Sequence, residues 1–306
     1  MTADPPPASD AAEVAAAIRR LVDAPPPLLV VADFDGTLAP GSRDPAAALI
    51  EPLARRALRR LARLATETPG RLAVAVLTGR TVTDVAGRVR VGGIEYIGDH
   101  GLQAAALPRG GRLGRLVVVT EPGFDAHRDP AETLATGVAD ELGRPPWLFV
   151  ERKGPSVAFH VRQADDVPAA RAAVLAAISA VEARTGLGDH GLAPYRGRSV
   201  VDLRPRDAGG KREAMGRLLD RHRPGAVLAL GDDLSDAEAF ESLREHRSAG
   251  DLDAVTAGVR GPAGMPAEVA AVADLRLADA HAAARLLSAL DRAITRPDRG
   301  AHRTAR

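Results

Sequence analysis

The 306 residues include no cysteine, and only 3% of them are aromatic. The first absence excludes a disulfide framework and thiol catalysis. The second leaves few rings for stacking on bases, and a formal net charge of +1 supplies no broad basic field for a polyanion. No apolar run approaches the length that crosses a bilayer. The first ten residues, Met1 to Asp10, are acidic and proline-rich, not basic and then apolar, so no secretory signal and a cytoplasmic address are expected. What remains is a chain that is 45% apolar and long enough for a core domain and a smaller second one. The expected partner is a small molecule, neither nucleic acid nor membrane, and a monomer is the default reading.

The most informative stretch is Asp33-Phe34-Asp35-Gly36-Thr37-Leu38, directly after the apolar run Leu28–Ala32. Five apolar residues after a proline run predict a strand buried on both faces, as in a parallel sheet. Two carboxylates then stand at its C-terminal end, where open α/β sheets place their ligand crevice. Gly36 permits a sharp turn close to an anion, and Thr37 can start a helix. Carboxylates so placed suit Mg²⁺, which takes oxygen ligands and commonly shares a substrate phosphate. A calcium loop would need glycine and glutamate where Leu38 and Asp44 stand.

Three more segments follow in an order that one mechanism would need. The apolar run Leu72–Leu77 ends in Thr78-Gly79-Arg80, a hydroxyl, a glycine amide and a guanidinium that can hold phosphate oxygens. Lys211 opens a helix-like segment after the strand Val200–Leu203. A third run, Ala226–Leu230, leads into Gly231-Asp232-Asp233-Leu234-Ser235-Asp236. Singly, each has an ordinary explanation in a turn, a solvated lysine or a capped helix start. Their joint order is much harder to explain that way.

With these segments the chain resembles the haloacid dehalogenase superfamily of phosphotransferases. The resemblance implies Asp33 as the nucleophile toward phosphorus and Asp35 as general acid and base. It further implies that Thr78 and Lys211 hold the phosphoryl group, and that Mg²⁺ sits among Asp33, the Asp35 carbonyl and Asp232. Asp233 is added as a metal-site acid and Asp236 as a supporting one. These roles make chemical sense. A carboxylate facing a phosphate dianion needs a cation between them, and a covalent aspartyl-phosphate divides one difficult displacement into two easier ones.

Spacing predicts the architecture. Asp33 and Thr78 are only about 45 residues apart, room for one helix and one strand. That helix shows Leu49, Leu53, Ala57, Leu61 and Leu64 on one face, with five arginines between Arg55 and Arg63 around the rest. About 130 residues separate Thr78 from Lys211, far more than one crossover needs. The expected fold is therefore α/β: a doubly wound, mostly parallel sheet with an inserted α+β cap. The expected divisions are an N-terminal tail over 1–26 (a short helix possible over Ala11–Val22), core segments 27–106 and 199–294, a cap over 107–198, and a C-terminal tail over 295–306. Cap strands are predicted at Leu116–Val119, Trp147–Glu151 and Ser156–Arg162, and helices after Asp129 and Val167. Gly186–Gly191 fits a dinucleotide-binding pattern but follows an Ala-rich helix, not a strand, which makes it a cap loop.

Within the cap, Glu151-Arg152-Lys153, Ser156–Arg162 and Ser199–Pro205 resemble the trehalose-6-phosphate phosphatase family, as do Gly98–Gly101 and Gly231–Phe240. That resemblance implies sugar-hydroxyl contacts by Glu151, Lys153, Arg162 and Asp202, with Arg80, His100 and Gly101 lining the core side. Several positions depart from the family pattern: Asp202 stands where glutamate is usual, Asp99 where asparagine is frequent, Arg212 where glycine is common and Ala237 where glutamate is usual. The expected activity is Mg²⁺-dependent hydrolysis of trehalose 6-phosphate. Two alternatives stay open: the same chemistry on another disaccharide-like or pseudo-disaccharide phosphate of a natural-product pathway, and a non-catalytic sugar-phosphate sensor. A phosphomutase of this superfamily would carry its cap between the first two motifs, where there is no room.

Overall fold

The computed structural model describes residues 7–42, 44–187, 191–197, 199–262 and 264–295. Most of the expected C-terminal tail, the start of the N-terminal one and the middle of the Gly186–Gly191 segment lie outside these residues.

Eight strands form one sheet: β1 (Leu28–Ala32), β2 (Leu72–Leu77), β3 (Ile94–Gly98), β4 (Gln103–Leu107), β5 (Val119–Thr120), and, after the cap, β10 (Ala226–Gly231), β11 (Asp253–Val259) and β12 (Leu275–Leu277). Their order is β12-β11-β10-β1-β2-β3-β4-β5, all parallel except β4, which runs antiparallel to both β3 and β5 near one edge. The chain winds outward from β1 through β2 and β3, then returns to the other side at β10. The switch in winding therefore lies between β1 and β10, and the crevice it opens is at their C-terminal ends.

Alternation along β1 sorts its side chains onto two faces. Leu28, Val30 and Ala32 pack with α1 (Ala11–Asp23), α2 (Pro52–Glu67), α3 (Val82–Val89) and α9 (Ala280–Thr295). Leu29 and Val31 pack with α6 (Lys211–His222), α7 (Leu234–Ala249) and α8 (Ala267–Val272). Both faces of the central strands are covered, which is why they read as unbroken apolar runs.

The cap is a second, antiparallel sheet of β6 (Phe149–Arg152), β7 (Val157–His160), β9 (Val200–Pro205) and β8 (Leu192–Gly197), in that order. Helices α4 (Arg128–Glu141) and α5 (Val167–Thr185) cover one side. Its apolar cluster, built on Leu134, Val138, Phe159, Val174, Val181 and Leu203, is separate from the two clusters of the core. Among the described residues no helix is long and apolar enough to cross a membrane.

Four sequence expectations differ from this structure. Strand β9 lies inside the cap sheet, so the boundary expected at 198/199 cuts between two paired strands and the cap runs on to Pro205. An apolar strand reads alike in either sheet. At the other end, the strand expected at Leu116–Val119 is reduced to Val119–Thr120 and joins the core sheet through β4. The supposed N-terminal tail is a docked helix. Asp10 and Glu13 form a capping box at the start of α1, and Ala17, Ile18 and Leu21 are buried against the core. The apolar face of α2 is also rotated from its expected position. Pro52 starts the helix, Ala54, Ala57, Leu58, Leu61 and Ala62 are buried, and Leu49 is 72% exposed.

Leu21→Ala is expected to lower unfolding free energy by about 2–5 kcal/mol, the usual cost of truncating a buried leucine. Urea denaturation would measure it; a loss of a few tenths would show α1 to be undocked.

Candidate active site

The site forms where β1 and β10 end side by side. The Asp33 amide donates to the Leu230 carbonyl at 2.9 Å, continuing the β1–β10 pairing by one residue. This brings the turn after β1 beside the turn after β10. The Asp232 carboxylate lies directly over Gly36, so close that a Cβ there would overlap it. Gly36 also has φ +80°, so both space and backbone require glycine. Gly231 is likewise pressed against the Asp236 side chain.

Lys211, at the first turn of α6, is fully buried, and its Nζ lies 2.9 Å from Asp33 Oδ1 and 2.9 Å from Asp236 Oδ1. The other Asp236 oxygen accepts the Asp232 and Asp233 amides at 3.1 and 3.2 Å, which fixes the loop. Asp233 is half exposed and caps α7, accepting from the Asp236 amide and the Ser235 hydroxyl. Atoms of Asp33, Asp232 and Asp236 come within 4.8 Å of one another. Asp236 thus lies within the acidic group as a supporting carboxylate, while the helix cap takes up the carboxylate of Asp233.

Burial, and then the neighbouring acids, push Asp33 up to about 7 despite the Lys211 charge. The same causes push Asp232 up to about 8, and Asp236 is also raised. Three crowded carboxylates with one ammonium carry excess negative charge in a buried place. Hard oxygen donors and that excess charge fit a divalent cation, which Asp33 and Asp232 could hold while Asp236 keeps its amide bonds.

Thr78 is buried at the end of β2, and its hydroxyl accepts the Arg80 amide at 3.3 Å. Arg80 grips the Asp35 carboxylate through Nε at 2.5 Å and Nη2 at 2.8 Å. Its Nη1 reaches Asp84 at 2.7 Å, and Arg88 holds Asp84 in turn at 2.8 and 2.9 Å. Arg80 therefore serves Asp35 in this state. Sequence reasoning missed Asp84 and Arg88, although their i, i+4 spacing on α3 was the available signal.

The residues assigned to sugar hydroxyls divide into two groups. Glu151 pairs with His160 at 2.9 Å at the edge of the cap, one-fifth exposed, and the His160 hydrogen bond, then Lys153 nearby, hold its carboxyl below the ordinary value against burial. Arg162 is exposed and donates to the Ser42 carbonyl of the core. Lys153 and Asp202 are buried instead and meet the core: Lys153 Nζ donates to the Gly79 carbonyl at 3.0 Å and lies 3.4 Å from Asp202. His100 is 3.4 Å from Asp202, and burial pushes its pKa down to about 4. Arg204, stacked on Tyr195 at 3.8 Å, shares Asp202 and was also missed, though it stands two residues along the same strand. Gly101, at φ +111°, lets its carbonyl accept from Arg217 on the helix that carries Lys211.

A capped, doubly wound sheet with acids after β1 and β10 and a buried lysine between them is a haloacid dehalogenase-like fold. A family model described as trehalose-phosphatase matches residues 31–263, and the chain belongs to the trehalose-phosphatase family. It is 36% identical over 224 residues to a trehalose-phosphate phosphatase of Mycobacterium tuberculosis (strain H37Rv), covering 70% of this chain and 51% of that protein. To the trehalose-phosphate phosphatase of Mycobacterium avium it is 38% identical over 228 residues, covering 69% and 50%. The chain thus spans about half the length of these curated relatives. Among solved structures, the C-terminal domain of the C. albicans trehalose-6-phosphate phosphatase superposes with a TM-score of 0.71 at 20% identity, covering 94% of this chain and 99% of that one. A trehalose-6-phosphate phosphatase related protein gives 0.65 at 20% identity, covering 88% and 100%. At such identities these two show the fold.

The raised carboxyls set a pH dependence. Asp33 and Asp232 bind protons more tightly folded than unfolded, so folding takes up protons between the ordinary 3.8 and about 7 to 8. His100 acts oppositely, but only between about 4 and its ordinary 6.5. From pH ~6.5 to ~8 the cation-free chain should therefore lose stability as pH rises. Mg²⁺ should flatten that slope, and Asp232→Asn should reduce it. Thermal unfolding with EDTA or Mg²⁺ checks this; a pH-independent midpoint that Mg²⁺ leaves unmoved contradicts it.

Proposed function

We propose that the chain hydrolyses trehalose 6-phosphate to trehalose and phosphate, with Asp33 as the nucleophile. The observation that carries this reading is the buried Asp33–Lys211 pair, 2.9 Å apart at the switch point and beside Asp232, beneath a cap. The names of the curated relatives support the substrate.

A divalent cation, Mg²⁺ in this reading, would be held by Asp33 and Asp232 and would screen the repulsion between carboxylate and phosphate. Lys211 favours the ionised form of Asp33 and offsets charge on the phosphoryl oxygens. The Thr78 hydroxyl, at the end of the neighbouring strand, holds another of those oxygens. Attack by Asp33 forms the P–O bond to its carboxylate while the bond to the sugar oxygen breaks. Asp35 gives that oxygen a proton and later takes one from the water that releases phosphate. Proton donation requires Arg80 to loosen its two bonds to Asp35, and Asp84, already 2.7 Å from Nη1, gives the guanidinium another carboxylate to rest on. In the cap, Glu151 and Arg162 would meet hydroxyls of the sugar remote from phosphorus, where binding helps closure and water exclusion.

Phosphate release across a panel of sugar phosphates tests the reading. Trehalose 6-phosphate should outperform glucose 6-phosphate, which offers one ring. EDTA should abolish turnover, with recovery on added Mg²⁺, and Asp33→Asn should leave at most a trace, because an amide is no nucleophile toward phosphorus. Equal turnover of the two sugars would remove the disaccharide from the proposal, and an active Asp33→Asn would remove the mechanism. Asp35→Asn should lose much more on the sugar phosphate than on an aryl phosphate, whose leaving group barely needs a proton. Equal losses would take Asp35 out of the general-acid role.

A further inference from the structure

Asp99 has no part in the mechanism above, yet it is the most completely buried carboxylate of the cap–core seam. Its Oδ2 accepts the Ser156 hydroxyl of the cap at 2.6 Å, and its Oδ1 lies 3.7 Å from the Lys153 ammonium. Lys153 in turn donates to the carbonyl of Gly79, the residue between Thr78 and Arg80. Gln103 completes the seam, donating to the Lys153 carbonyl at 2.6 Å while accepting the Val82 amide at 3.1 Å.

The backbone supports the same reading. Asp99 and His100 have φ +49° and +53°, in the left-handed region that non-glycine residues seldom occupy, and Gly101 follows at +111°. Such strain persists where surroundings over-determine it, and it clusters at functional sites. The turn is set against the phosphate loop: the His100 amide donates to the Thr78 carbonyl at 3.0 Å, and a Cβ on Gly79 would come within 2.5 Å of the His100 ring.

Charge in the seam is balanced. Lys153 and Arg204 face Asp99 and Asp202, while burial keeps His100 neutral. Buried ion pairs are weak stabilisers because desolvation offsets their attraction, but losing one partner leaves an uncompensated charge. A polar seam between separate apolar clusters is the kind of interface that opens and closes as a unit. Closed, it carries the position of the cap directly to the Gly79 carbonyl.

We propose that Asp99 is a positioning residue: with Ser156 and Lys153 it forms a buried polar latch that docks the cap on the Gly79 carbonyl and so fixes the Thr78–Arg80 loop for phosphoryl transfer. The assignment rests on the phosphatase reading. It moves Lys153 from sugar recognition to closure, because its ammonium is spent on the core.

The latch and a sugar contact differ in one measurable way. A sugar contact matters only to substrates long enough to reach it, whereas a latch matters to every phosphate ester. The test compares Asp99→Ala, Asp99→Asn, Ser156→Ala, Lys153→Met and Glu151→Ala on p-nitrophenyl phosphate and on trehalose 6-phosphate. Hydrogen exchange of the 78–82 and 153–157 amides is followed without substrate, and thermal unfolding confirms that each variant is folded. Asp99→Ala and Lys153→Met should lower kcat on both substrates by similar factors of ~10 or more, with KM for the aryl ester little changed. Exchange in both segments should quicken by a similar factor. Asp99→Asn, which retains an acceptor for Ser156, and Ser156→Ala should fall between these and wild type. Glu151→Ala should harm only the disaccharide phosphate. Losses confined to the disaccharide in Lys153→Met overturn the latch and return that lysine to sugar binding. Quickened exchange with unchanged aryl turnover also overturns it, as does unchanged exchange. If wild type hydrolyses aryl but not trehalose phosphate, the substrate reading fails while the latch is still judged on the aryl ester. If it hydrolyses neither, exchange alone judges the docking, and unaltered exchange in Asp99→Ala rejects it.

Discussion

An ammonium with almost no solvent contact, 2.9 Å from each of two carboxylates, is the constraint around which this molecule is arranged. Lys211 can stay charged in such a place only if Asp33 and Asp236 stay beside it, and they stay only if the turns after β1 and β10 remain in register. The backbone meets that demand. The β1–β10 pairing continues through the Asp33 amide, and glycine at 36 and 231 leaves room for the carboxylates of Asp232 and Asp236. Two apolar layers on either face of the sheet hold the strands that carry those turns. Site and core are in this sense one structure: the registry that fills the core also sets the charges.

A second arrangement lies across the crevice. The cap has its own apolar cluster and meets the core through buried polar groups around Asp99, Lys153 and Asp202. An apolar seam would fuse the domains, and an exposed salt bridge would hold them weakly. A buried and balanced polar seam specifies one closed geometry, at the expense of strain at Asp99 and His100. On the core side a chain of alternating charge, Asp35–Arg80–Asp84–Arg88, ties the turn after β1 to α3.

Local signals were legible in the sequence, and long-range partnerships were not. Strands β1, β2 and β10 announce themselves as apolar runs because both of their faces are covered. The acids after β1 and β10 are legible for the same reason, since strand ends fix where they stand. Strand β9 is apolar too, but nothing local says which sheet receives it, and the cap boundary was misplaced. The engagement of Asp233 by the helix cap had a readable cause: acids three residues apart at a helix start suit a capping box, which occupies the first and turns the second inward. Helix α1 is legible as a short helix over Ala11–Val22, and the spacing of Val14, Ala17, Ile18 and Leu21 is the signal that it docks on the core and is not part of a tail. The grip of Arg80 on Asp35 and of Asp99 on Ser156 joins residues 45 and 57 positions apart, and single-sequence patterns carry no such pairings.

The central claim is that Asp33, held by Lys211, forms the first bond to phosphorus. The stereochemical course at phosphorus tests this most directly, using trehalose 6-phosphate made chiral by oxygen isotopes and a thio substituent. Two successive in-line displacements, on Asp33 and then by water, predict overall retention of configuration. Inversion would mean direct attack by water, and Asp33 would then be an electrostatic support and not the nucleophile.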